Sequence, residues 1–193
     1  VGQALQELKD AGKNIIAVAD YYDESSYYLA SFANEIILHP DGEIYIDGYS
    51  RIRTYYKSLI DKLEVTVNLF RVGKYKSAME PYIRDSMSEA AKEASIAYMK
   101  VLWDSWKEVV SNNRKLKAVD IQNFADTYDA LVVQENGNSG KTALNYNLAD
   151  KLLNRNQRRD YLIDLIGSDE EEKSFAQVSL NDYFAIAKNE EKR

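Results

Sequence analysis

Ile15-Ile16-Ala17-Val18-Ala19 and Glu35-Ile36-Ile37-Leu38 are the stretches whose reading decides the fold. Both are short apolar runs without polar alternation, the pattern of strands buried on both faces in a parallel sheet. Between them, residues 27–34 (Tyr-Tyr-Leu-Ala-Ser-Phe-Ala-Asn) are apolar and small enough for a packed helix. Upstream, Ala4-Leu5 and Leu8 have helical spacing, and the helix expected over 3–11 stops at Gly12. Downstream, Pro40-Asp41-Gly42 should end the second strand. Glu43-Ile44-Tyr45-Ile46 reads as a third strand, closed by Asp47-Gly48. Helical spacing returns over 53–63 through Tyr55, Leu59, Ile60 and Leu63, and the β-branched run Val65-Thr66-Val67-Asn68-Leu69-Phe70 reads as a fourth strand. Strands alternating with helices predict an α/β domain with a mainly parallel sheet.

The second half has another character. Ser86-Met87-Ser88-Glu89 has capping-box spacing, and Met99, Leu102, Trp103, Trp106, Val109 and Val110 follow at three- and four-residue intervals. This predicts one long helix of roughly 20 residues, ending at Asn112-Asn113, with a tryptophan face that something must cover. Shorter helices are expected near 118–125, 140–147 and 156–166. Residues 167–173, Gly-Ser-Asp-Glu-Glu-Glu-Lys, read as a solvated linker, and the last stretch as a short strand and helix. The expected division is a domain over 1–166 and an acidic connector over 167–193. Val1 runs directly into a helix and the chain closes on a charged tract ending at Arg193, so both ends read as cut from something longer.

Composition excludes several classes of chemistry. Lys plus Arg number 25 against 31 Asp plus Glu, a net charge of −6, without the basic footprint of a nucleic-acid binder. There is no Cys, hence no disulfide, thiolate nucleophile or Cys-ligated metal. No apolar run approaches the ~18–20 residues that span a bilayer. The single His, His39, precedes Pro40. A Ser-His-Asp triad would have to use it, but such a position is ordinarily structural. Two-histidine metal motifs are impossible, and the Glu170-Glu171-Glu172 run reads as a solvated face rather than a metal cage. No cofactor is indicated.

Two loops remain as candidates. Gly137-Asn138-Ser139-Gly140-Lys141-Thr142 follows the apolar run Ala130-Leu131-Val132-Val133 and opens a helix, the context of a phosphate-binding loop. Its spacing fails, because the first glycine would fall where Glu135 stands. Leu162-Ile163-Asp164 mimics a magnesium-binding strand but sits in helical spacing. The other loop, residues 71–78 (Arg-Val-Gly-Lys-Tyr-Lys-Ser-Ala), leaves the expected fourth strand, where open α/β sheets carry their ligands. Gly73 would turn the backbone and put Lys74, Tyr75 and Lys76 on the working edge. Spacing alone does not separate Lys74 from Lys76, and adjacent Ser77 is no obvious nucleophile for Lys76.

Residues 27–34, Tyr55-Tyr56-Lys57-Ser58-Leu59, and residues 70–78 with Glu80-Pro81 and Ile83-Arg84-Asp85 resemble bacterial signal peptide peptidase A, the protease IV family, in its long two-domain form. Asn112-Asn113-Arg114, Ala143-Leu144 and Asn147-Leu148-Ala149-Asp150 fit as well. The resemblance runs from the helix at residue 3 to Asp182-Tyr183 and corresponds to most of the N-terminal domain. It implies a Clp protease/crotonase-like α/β fold, incomplete at its N-terminus, with a long helix and a small helical extension. It also implies a serine peptidase working through a Ser–Lys dyad. The family's lysine falls on Lys76, not Lys74, and its serine lies in a C-terminal domain outside this chain. The implied setting is a homotetramer at the bacterial inner membrane, held by an anchor outside this chain, degrading cleaved signal peptides on the periplasmic side. Aligning the helix at Tyr27-Tyr28-Leu29 puts Glu24 in the nucleophile's slot and Ser25-Ser26 in place of two glycines, with Ser25 a weaker alternative nucleophile.

The chemistry asked of Lys76 has a definite cost. A free lysine titrates near ~10.4, so a base that accepts a serine proton at neutral pH must be held neutral, at about 3–4 kcal/mol against its charged form. Tyr75, Ala78 and Met79 could form part of an apolar wall, the missing domain the rest. Alone, the fragment is expected to leave Lys76 solvated, charged and idle. A non-catalytic scaffold that assembles and steers substrate is the second reading. A crotonase-type acyl-CoA enzyme is the third, weakened by the lack of paired carboxylates on strand-end loops.

Overall fold

The computed structural model describes residues 1–70, 72–73, 75–171 and 173–190. The elements run α1 (Gly2–Asp10), β1 (Ile16–Tyr22), α2 (Glu24–Ala30), β2 (Glu35–Ile44), α3 (Lys57–Lys62) and α4 (Glu80–Ile83). They continue with α5 (Glu89–Arg114), α6 (Ala118–Gln134), α7 (Ser139–Asn145), β3 (Lys151–Leu152), α8 (Arg155–Ile166) and α9 (Leu180–Glu190). The chain forms two compact units. One comprises Val1–Asp23, Phe32–Ile44 and Asp129–Arg193; the other comprises Glu24–Ser31 and Tyr45–Tyr128. The boundary falls inside α6, next to Thr127, whose backbone (φ −127, ψ 16) interrupts the helix. The chain is therefore α/β, with a small parallel sheet and several helices, as the apolar runs predict.

The first unit holds the sheet, in the order β1-β2-β3, with both pairings parallel. Ile36, Ile37 and Leu38 of β2 are completely buried, which is why this stretch is apolar at successive positions instead of alternating. The expected break at Pro40-Asp41-Gly42 is not a strand end. Ala19 pairs with Leu38 and, after one intervening residue, Tyr21 pairs with Glu43, so residues 39–42 bulge opposite Asp20 alone. Pro40 has no N–H to give the ladder, and beyond the bulge the same strand resumes. The expected second and third strands are thus one. β3, only two residues long, has no sequence signal. Asp150 leads into it by accepting the Ile36 N–H at 2.7 Å and donating its own N–H to Ile36 O at 2.9 Å.

The second unit is helical. Ser88, not Ser86, caps α5: its hydroxyl accepts the Ala91 N–H at 3.2 Å. α5 ends at Arg114, one residue past the expected Asn112-Asn113, and Lys115 caps it in the left-handed region (φ 57). α2 covers its tryptophan face. Trp106, 5 % exposed, donates Nε1–H to Glu24 O at 2.9 Å, its ring lies 6.4 Å from Tyr27, and Asn113 Nδ2 donates to Ser31 Oγ at 3.0 Å. Burying side chains of this size contributes about 1.5–3 kcal/mol each, and the indole donor is satisfied.

The fourth strand is a correction. Residues 65–70 form neither helix nor strand, Val65 is exposed and Phe70 is 97 % exposed. β-Branched composition favours a strand only where a sheet edge and a face to bury exist. Among the described residues the strands all belong to the other unit, so this run meets no described sheet edge in its own. The second helix begins earlier and stops sooner than expected, at Glu24–Ala30. The expected helix at 118–125 extends to Gln134.

Candidate functional site

The segment carrying Lys76 lies in the helical unit and has no regular structure of its own between residues 75 and 79. Two devices shape its turn. Gly73 adopts φ +110, a conformation that favours glycine, and the Lys76 N–H donates to Gly73 O at 3.4 Å. A Cβ on Gly73 would stand 3.8 Å from Lys76 Cγ, so the lysine stem folds over the bare glycine. Past the turn, Arg53 Nη1 donates to Ser77 O at 3.1 Å and Nη2 to Ala78 O at 2.6 Å.

The following residues are tied down harder. Pro81 O accepts the Tyr56 N–H at 2.7 Å. Asp85 Oδ1 accepts Ser58 N–H at 2.9 Å and Ser58 O–H at 2.6 Å, which hold its carboxyl below the usual range. Glu80 is 1 % exposed. It accepts both the N–H and the hydroxyl of Ser88, the residue that caps α5. A helix cap and a buried carboxylate therefore anchor the chain just after Lys76.

Lys76 itself is exposed, as are Tyr75, Ala78 and Met79, so these flanking residues build no enclosed apolar wall. Ser77 is half-buried and contributes its carbonyl to Arg53. Lys74 lies outside the described residues, as do Arg71, Glu172 and residues 191–193. Nothing in the sequence near Lys76 announces Arg53, which lies well upstream. Glu80 belongs to the stretch that carries the resemblance, but its burial is legible only in the structure.

Glu24 and Ser25 open α2 and line a cavity of about 440 Å³ with Tyr28, Leu29, Tyr49, Leu102, Ser105 and Trp106. Lys76 is not among its lining residues. Glu24 Oε1 accepts the backbone N–H groups of Asp47 (2.9 Å) and Gly48 (3.1 Å). Burial pushes its carboxyl above the usual range, the backbone donors pull against this, and the Asp47 carboxyl adds to the rise.

The remaining candidates resolve as structure. His39 Nδ1 accepts the Asp41 N–H at 3.1 Å inside the β2 bulge. The run at 130–133 is the last part of α6, not a strand, and the turn after it packs against β2. Asn138 caps α7, Ser139 Oγ donates to Gly42 O at 2.9 Å, and a Cβ on Gly140 would sit 2.7 Å from Pro40 O. Those glycine and serine positions serve a close backbone approach, not a phosphate. Asp164 is an exposed residue on α8. Among the described residues no group of three or more His, Asp or Glu side chains could hold a metal ion. No described helix is long and apolar enough to cross a membrane.

The family model described as Peptidase family S49 matches residues 7–165. Protease 4 of Salmonella typhi is 38 % identical over 183 residues, 95 % of this chain and 30 % of that protein. Protease 4 of Haemophilus influenzae is 41 % identical over 155 residues, covering 80 % of this chain and 25 % of that protein. The chloroplastic serine protease SPPA of Arabidopsis thaliana is 27 % identical over 116 residues, 60 % of this chain and 17 % of that protein. The chain thus spans no more than a third of the length of these curated relatives.

Proposed function

Because the chain belongs to peptidase family S49, we propose that it is the lysine-bearing part of a serine peptidase, with Lys76 as general base for a serine supplied by another domain. The family match across residues 7–165 carries this reading, since it includes the whole Lys76 segment. One further feature supports it: the Lys76 side chain is exposed on a turn whose following carbonyls are braced by Arg53.

In the proposed reaction the serine hydroxyl passes its proton to Lys76 Nζ while Oγ bonds to the peptide carbonyl carbon. The C–N bond then breaks, and Nζ returns the proton to the departing amine. A water, activated by the same nitrogen, releases the acyl group. A charged amine cannot start this cycle, so the partner domain has to bury Nζ as it brings the serine. The finer fold, a Clp protease/crotonase-like domain over 1–166 with a connector over 167–193, belongs to the same proposal. So do the signal-peptide substrates, the homotetramer and the periplasmic face of the inner membrane.

One observation favours a second reading. Ile52, Phe70 and Val72 are 84–97 % exposed, apolar side chains that an assembly would cover; on this reading the chain is a scaffold. Lys76→Ala in the full-length protein separates the two. A general base predicts loss of peptide hydrolysis by at least ~10²-fold with the same oligomeric state. Near-normal turnover with altered assembly would leave only the scaffold.

A further inference from the structure

Arg53 shares no helix or strand with Lys76, yet its guanidinium reaches the backbone immediately beyond it. Two successive carbonyls, Ser77 O and Ala78 O, accept from the two ends of one rigid fork, at 3.1 and 2.6 Å. A planar guanidinium with both terminal nitrogens engaged fixes direction as well as distance. Before the lysine, Gly73 sets the turn through φ +110 and accepts the Lys76 N–H. The backbone is therefore held on both sides of Lys76, by a conformation on one side and a side chain on the other. The exposed Lys76 side chain starts from this held backbone. A shift of that backbone would carry the origin of the side chain with it, and the two Arg53 hydrogen bonds oppose such a shift.

We propose that Arg53 is a positioning residue for Lys76, acting through the Ser77 and Ala78 carbonyls without touching substrate. This rests on the reading of Lys76 as general base. Ser77 O also accepts the Glu80 N–H at 3.1 Å and Met79 O the Tyr82 N–H at 3.1 Å, so loss of the guanidinium leaves the segment after the lysine to this turn and to the contacts of Glu80 and Pro81. Misplacing a reacting group by 1 Å costs up to about 10²-fold in rate. A merely stabilising arginine predicts something else: a lower melting temperature with each folded molecule working at the ordinary rate.

The test uses the full-length protein with Arg53→Met, Arg53→Lys and Lys76→Ala, a chromogenic peptide substrate, and a fluorophosphonate that labels and counts the active serine. Arg53→Met is expected to lower kcat per labelled serine about 10–100-fold, with KM within about twofold, and to slow labelling in parallel. Arg53→Lys, whose ammonium can still reach a carbonyl, is expected to recover part of the loss. Unchanged kcat per labelled serine and labelling rate in Arg53→Met would overturn the proposal, whatever the melting temperature does. If Arg53→Met does not fold, Arg53→Lys decides by the same quantities: a fall in kcat at constant KM supports the assignment, and full activity ends it. Lys76→Ala separates the two levels. If it retains activity, the general-base reading has failed; if it is dead while the Arg53 variants work normally, only the positioning role has failed.

Discussion

Glu24 and Gly48 are joined by a hydrogen bond in which the glycine N–H donates to the glutamate Oε1 at 3.1 Å, and the same oxygen takes the Asp47 N–H at 2.9 Å. The first residue of α2 thereby fastens the turn that follows Ile46. The fastening has a cost, since burial disfavours the charged carboxylate and pushes its pKa up.

That shift gives Glu24 a signed pH dependence. A carboxyl whose folded pKa exceeds its unfolded value holds its proton more tightly when folded, so stability falls as pH rises between the two values. The window opens at the ordinary carboxylate value and extends upward. Glu24→Gln keeps an acceptor for both N–H groups and removes the charge. Urea midpoints measured from pH 4 to 7 should therefore decline less steeply in Glu24→Gln than in the unaltered chain. Glu24→Ala, which strands both donors, should lose about 1–3 kcal/mol at all of these pH values. Identical pH slopes for the Gln variant and the parent would rule out the assigned cause.

Gly42 and Gly140 make a second test, of packing. A Cβ at Gly42 would sit 2.5 Å from Asp20 O, and one at Gly140 2.7 Å from Pro40 O. Both obstacles are backbone, which cannot swing aside. Each alanine substitution should cost about 1–3 kcal/mol through overpacking. Gly137, with φ +84 and open space around it, should lose only about 1–2 kcal/mol to left-handed strain. Chemical denaturation of the three single variants checks the order; a Gly137→Ala loss larger than both others would contradict it.

Ser88 links two tasks, capping α5 through Ala91 and donating to buried Glu80. An N-cap loss alone is worth about 1 kcal/mol. Ser88→Ala should cost roughly 2–3 kcal/mol, because the buried Glu80 carboxyl loses the Ser88 hydroxyl at the same time. A double-mutant cycle with Glu80→Gln should return a coupling of at least about 0.5 kcal/mol. Strict additivity would mean that the contact does not help anchor the Lys76 segment.

What could be read in the sequence follows from how local each cause is. Ile36-Ile37-Leu38 declare a buried strand because each side chain must be apolar, and α8 is readable because Asn154 and Gln157 complete its capping box. Val65 to Phe70 mislead, since β-branched residues state a preference but not whether a sheet edge is within reach. Pro40-Asp41-Gly42 looks like an ending, and only pairing with β1 shows that the strand continues. α6 was expected to be shorter because helical spacing carries no sign of continuation through a distortion such as that at Thr127. At the candidate site, the choice of Lys76 over Lys74 rests on resemblance, because spacing does not distinguish the two. Arg53 was invisible because its role depends on carbonyls, which every residue has.

The bulge at residues 39–42 also decides how the far end of β2 faces. In a strand, adding or removing a single residue turns every later side chain to the opposite face. This loop has no ladder partners, but it is clamped by the close approach of Gly42 to Asp20 O and of Gly140 to Pro40 O, and by the Ser139 hydroxyl on Gly42 O. Its length is therefore as tightly specified as that of the paired residues, and a lengthened loop would carry Glu43 away from Tyr21 and turn Ile44 out of the core.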